Sequence, residues 1–185
     1  ESMAQALFKS WFVDFDPVWA KLENRPPAHM LPQTAALFPD SFDDEGLPLG
    51  WRFGTLGEVT MTARNGVKPE QIHPDTPYIG LEHMPRRSIA LSDWGFAADV
   101  GSQKSGMLAG DFMFGKLRPY FHKVGVAPVD GICSTDIIVL RPKTPEWGGF
   151  VLSVISSDAF VEHTNSGSSG TRMPRTNWSD MAAYE

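Results

Sequence analysis

The 185-residue sequence predicts an α+β fold: a mixed sheet of short strands with helices in the C-terminal half, preceded by one long amphipathic helix. Three observations carry this. Short apolar runs at 78–81, 112–114, 124–127 and 137–140 are punctuated by Gly and Pro, as strands are. Helix-start signals come after them, so strands and helices fall in separate runs. Ahead of both, Met3, Leu7, Trp11 and Phe15 recur at four-residue spacing.

That stripe, with Ala4, Phe8, Phe12 and Trp19 beside it, predicts a helix over 3–19, ended at Asp16-Pro17 or shortly after. Pro26, Pro27, Pro32, Pro39 and Pro48 follow, too many for a regular element. The chain therefore divides into a helical segment (1–22), a Pro-rich linker (23–46), a body (47–177) and the start of another helix (178–185). An apolar helix held off its body by such a linker points to a partner outside the segment. The expected partner is another long helix, the one that begins near Trp178, or else a second copy of the same helix.

Within the body, Thr55 is placed to cap a turn through Leu56 and Val59. Asn65-Gly66 reads as a tight turn projecting Arg64 and Lys68 outward. Thr144-Pro145-Glu146 combines a cap, a first-position proline and an acid in the first turn. Phe150, Val151, Val154 and Ile155 then supply a buried face. Ser157-Asp158 restarts a short helix through Val161, and NSGSSGT at 165–171 reads as a flexible loop.

The net charge of −6 is unevenly placed. Residues 1–50 hold three Lys+Arg against eight Asp+Glu, whereas residues 51–177 hold thirteen against twelve. The central part is thus balanced, and its local clusters govern any contact with phosphate. Lys116, Arg118, His122 and Lys123 lie within eight residues without an acid, interleaved with Tyr120 and Phe121. Arg64, Lys68, Arg86, Arg87, Lys104 and Arg172 are further candidates, with Arg175 beside the Gly/Ser loop. Such basic loops suit double-stranded DNA, because lysines hold phosphates and arginines read guanine edges.

Gly110 to Lys116, GDFMFGK, fits most of a phosphate-binding loop, but Leu117 stands where a Mg²⁺-ligating Ser or Thr is needed. Phe112, Met113 and Phe114 alternate as a strand would, and Asp111 would face an anion. No His pair sits at metal-ligand spacing, and the single cysteine, Cys133, reads as a small core hydrophobe. One cysteine fits a reducing cytoplasm. The ESMAQALFKSW start has no signal-peptide pattern, no apolar run reaches membrane-spanning length, and Asn177-Trp178-Ser179 is a chance glycosylation triplet.

Six stretches carry a resemblance. LFKSWFVDFDP (7–17), LPLGWRFGTLGEV (47–59), YIGLEHM (78–84), GDFMFGKLRPYFHK (110–123), GICSTDIIVLRPK (131–143) and MPRTNW (173–178) occur in this order. Together they resemble the specificity subunit of type I restriction–modification systems. The resemblance implies one target-recognition domain flanked by the ends of spacer helices, in a subunit about twice as long. It implies a non-catalytic DNA reader that directs adenine methylation and restriction by partner subunits. Methyltransferase subunits would bring S-adenosylmethionine and the restriction subunit ATP and Mg²⁺, so this chain itself needs no cofactor. Lys116 and Arg118 would then either touch DNA or brace the scaffold. The alternatives are a nucleotide-binding hydrolase using Gly110 to Lys116, and a protein-interaction adaptor using the Trp11/Phe15 helix.

Overall fold

Pro17 divides the N-terminal helix. The computed structural model describes residues 2–63, 65–98, 100–167 and 173–185, and it falls into two units, 1–54 and 55–185. In the first, α1 (Ser2–Phe12) ends and α2 (Asp16–Leu22) begins after Phe15, whose φ of 57° is left-handed. Proline lacks the N–H for an i→i−4 bond and its ring crowds the carbonyl four residues back, so one long helix cannot run through position 17. The amphipathic stripe survives this break. Phe12 stacks on Trp51 at 5.9 Å, Trp11 meets Phe38 edge-on at 6.0 Å, and Trp19 lies 4.5 Å from Phe42. The proline-rich stretch is therefore no free spacer. It holds a turn of helix, α3 (Pro32–Ala35), and folds its aromatics back onto α1 and α2. The outer part of α1 stays uncovered, with Met3 76% exposed.

Among the described residues of the second unit, α4 (Leu56–Val59) precedes nine short strands: β1 (Thr60–Thr62), β2 (Gly66–Val67), β3 (Pro77–Ile79), β4 (Gly95–Phe96), β5 (Lys104–Met107), β6 (Phe112–Gly115), β7 (Val124–Val126), β8 (Gly131–Cys133) and β9 (Ile137–Pro142). They form an antiparallel sheet in the order β1-β9-β6-β7 and a mixed sheet in the order β2-β5-β8-β3-β4, whose one parallel pair is β3 with β8. Every residue of β6 is buried, because β7 and β9 flank it and both of its faces are covered. Met113 enters a core with Ile79, Met107, Cys133 and Val139. On the other face Phe114 meets Phe160 edge-on at 5.6 Å.

Phe160 belongs to α6 (Asp158–Ser166), which follows α5 (Gly148–Ile155). Ser157 caps α6 by accepting from the Phe160 N–H, and the helix runs one turn past Val161. The Thr144-Pro145-Glu146 start builds a 3₁₀ turn, Pro145–Trp147, before α5. Asn177 caps α7 (Trp178–Ala182) by accepting from the Asp180 N–H at 3.0 Å. The unit closes on itself at this point: the Leu56 N–H donates to the Tyr184 carbonyl at 2.8 Å. Asn65-Gly66 leads into a strand. Gly66 opens β2 opposite Ser105, and the Asn65 carbonyl accepts from Gly106. Most of the Gly/Ser loop, like Arg64 and Arg172, lies outside the described residues.

Candidate nucleic-acid interface

The Gly110–Lys116 stretch is built as a strand and its approach, and its amide donors are engaged. The Gly110 N–H donates to Ala127, Asp111 to Leu108, Gly115 to Lys123 and Lys116 to Asp136, each at 2.9–3.0 Å. A phosphate-cradling loop needs such donors free and convergent. Asp111 faces a cation instead: the Arg141 guanidinium donates to both carboxylate oxygens, at 2.5 and 2.8 Å.

The basic residues gather along one short segment, 78–87, which leaves β3. Lys104 sends its ammonium to 5.9 Å from the Tyr78 ring, held by the Ser102 hydroxyl at 2.7 Å. Lys123 donates to the Leu81 carbonyl. Arg86 lays its guanidinium 4.0 Å over the Phe121 ring, and Arg118 reaches the same ring at 5.9 Å. Arg87 pairs with Asp158 at 2.8 Å, and its N–H donates to the His122 carbonyl. Lys68 is exposed and follows Val67, the register partner of Lys104. Lys116 stands apart from this segment, in an open pocket of about 280 Å³ with Ser105, Thr135 and Thr176.

The backbone here is strained. Arg87, Arg118 and His122 have φ of 53°, 52° and 51°, and they are the non-glycine residues with left-handed φ among the described residues of the second unit. Such conformations persist where surrounding contacts over-determine them, and they cluster at functional sites. Here the contacts are main-chain bonds from Arg87 to His122 and from Arg118 to Pro174. Electrostatics mark the same place. Burial, then the charge of Arg86, holds the Lys123 ammonium below the usual lysine range, with Glu82 partly offsetting both. Burial and then Glu82 push the Tyr78 phenol up.

His122 was expected among the surface cations, yet it is buried, 7% exposed. Its Nε2 lies 2.9 Å from the Ser156 carbonyl, which only accepts, so that nitrogen carries a proton. Arg175 likewise braces the scaffold, pairing with Asp136 at 3.1 Å. Sequence reasoning had no signal for the left-handed residues, nor for Tyr78 as a platform. Tyr120 and Phe121 between basic residues were the visible trace of this cluster.

No known protein-family profile matches the chain. A curated relative, the type I restriction enzyme EcoDI specificity subunit of Escherichia coli, is 24% identical over 138 residues, covering 74% of this chain and 30% of that subunit. The similarity is to type I restriction–modification specificity subunits. Two solved structures agree. The HsdS subunit of Thermoanaerobacter tengcongensis superposes with a TM-score of 0.59 at 25% identity, and a chain from a study of complex assembly and conformational transition of the type I R-M system with 0.57 at 26%. Each match covers 74% of this chain and 37% of the other. The chain thus spans about a third of the length of the specificity subunits it matches.

Proposed function

We propose that this chain is a DNA target-recognition module of a type I specificity subunit, non-catalytic, that directs adenine methylation and restriction by partner subunits. The observation that carries it is the gathering of cations on aromatic platforms along 78–87, an exposed Arg86 and a half-buried Lys104, in a chain similar to specificity subunits. Residues 47–177 serve as the recognition domain, with 1–22 and 178–185 as parts of spacer helices and 23–46 as the connection between helix and body. Lys68, Arg86, Lys104 and Lys116 face the duplex, joined by Arg64 and Arg172. Arg87, Arg118 and Lys123 hold the surface that presents them. The partners are double-stranded DNA, modification subunits and a restriction subunit, and the setting is cytoplasmic. Self-association through α1 is the second mode of contact, favoured by its uncovered apolar residues.

Expression of the full-length subunit with its modification partners, followed by methylome mapping, tests this directly. A defined methylated site is expected. An assembled complex that neither binds nor methylates DNA would overturn the reading. ATP with Mg²⁺ added to the purified chain should give no hydrolysis and no saturable melting shift; either would favour the hydrolase.

A further inference from the structure

Among the basic residues around the 78–87 segment, most have their polar edges occupied. Arg87 is taken by Asp158, Lys123 by the Leu81 carbonyl, Lys104 by Ser102 and Arg175 by Asp136. Arg118 is set by its left-handed backbone, with its Nε buried and unpaired among the described residues. Arg86 differs from all of these. It is exposed, it makes no ion pair or hydrogen bond with any described residue, and yet it is not free to wander. Its guanidinium lies 4.0 Å from the Phe121 ring centroid, and Phe121 is itself backed by Tyr120 at 4.8 Å. The ring contact restrains the guanidinium of this exposed side chain, while its N–H donors meet no acceptor among the described residues.

A planar, pre-oriented row of donors beside a strained turn matches the paired O6 and N7 acceptors of guanine, which the major groove displays. A phosphate would require only a point charge, and Lys68 offers that without a platform. We propose that Arg86 is a base-reading residue of this domain, taking a guanine edge, with Phe121 as the positioning residue that holds it. The inference rests on the DNA reading above and deepens it.

The test is selection of preferred duplexes from a random pool by the purified chain, then affinities for the preferred site and its single-base variants across a salt series. Arg86→Ala should lower affinity for the preferred site roughly 5- to 150-fold and flatten preference at one G·C pair, while weak sites change little. Arg86→Lys keeps the charge but not the fork, and should flatten the same position. Phe121→Leu keeps an apolar side chain and Arg86 but removes the platform, and should weaken preference at that position alone. Uniform weakening across sequences with a salt slope smaller by about 1 would make Arg86 a phosphate contact and overturn the proposal. Full preference in Arg86→Lys, or no change in any variant, would overturn it too. A wild-type chain that binds no duplex even at low salt would instead overturn the DNA reading itself.

Discussion

Arg141 of β9 and Asp111, the residue before β6, form a two-bond pair, with the Arg141 side chain 31% exposed and the Asp111 side chain 6%. The Leu108 N–H also donates to Asp111, at 2.7 Å. The acid that makes 110–116 look like a failed nucleotide loop is therefore a structural anchor. Its loss and that of its partner are not equivalent. Arg141→Ala strands a buried carboxylate and should cost about 3–5 kcal/mol. Asp111→Ala leaves a guanidinium that still reaches water, and should cost less, about 2–3 kcal/mol. Urea midpoints of the two variants measure the difference, and DNA preference should not change in either. Equal losses would mean that Arg141 is as isolated from water as Asp111.

The Phe114–Phe160–Tyr184 series ties the four-stranded sheet to α6 and on to the residues after α7, with edge contacts of 5.6 and 5.0 Å. Phe160 is fully buried. Phe160→Ala should cost about 3–5 kcal/mol through lost burial and a residual cavity. Hydrogen exchange should show the region around α7 losing protection first, since Tyr184 then keeps only its edge contact with the His163 ring. Unchanged protection there would sink the idea that this series couples them.

Cys133 lies in the core, and burial, with a smaller push from Asp111, raises its thiol to about 12. A raised folded-state value means that the stability this thiol contributes is fully present below the unfolded value, roughly 8.5, and is lost as pH rises toward 12. The slope is about 1.4 kcal/mol per pH unit inside that window. Cys133→Ala should be less stable near neutrality, through its cavity, but should show a shallower alkaline loss. Thiol-directed alkylation should be undetectable in the native chain and fast in urea. A wild-type and variant pair with the same alkaline slope would contradict this.

Arg118 and Lys116, two residues apart, should respond differently to removal. Arg118 holds a left-handed backbone beside Pro119, so Arg118→Ala should lower the melting temperature and leave the salt slope of DNA binding intact. Arg118→Gly should exceed Arg118→Ala in stability by about 1 kcal/mol, because glycine takes that backbone without strain. Lys116 has no side-chain partner among the described residues, and Lys116→Ala should reduce the salt slope by about 1 at unchanged stability. The opposite pattern in thermal melts and anisotropy titrations would exchange the two roles.

The parts of the fold that the sequence discloses are those with enough length or local chemistry. The runs that became β6, β7 and β9 hold at least three apolar residues each once Ala127 is counted with β7, and Ser157-Asp158 marks the start of α6. Strands β2, β4 and β8 escape, because GV, GF and GIC are too short and glycine-bearing to show a period. They exist through their neighbours in the mixed sheet. The break at Phe15 is legible only if Pro17 is weighed above the apolar stripe. At the candidate site the cations themselves are visible, but their sorting is not. Arg87 meets Asp158 and Lys123 meets Leu81 across 71 and 42 residues of chain, and only the folded sheets bring them together.

The bond from Leu56 to the Tyr184 carbonyl makes the second unit a loop with adjoining ends. Ala182 lies so near Gly57 that a side-chain carbon there would sit 3.0 Å from its own. A few residues of glycine and serine would therefore suffice to join position 185 to position 55 and open the chain elsewhere. The unit is topologically a cassette: the chain enters and leaves it at one place.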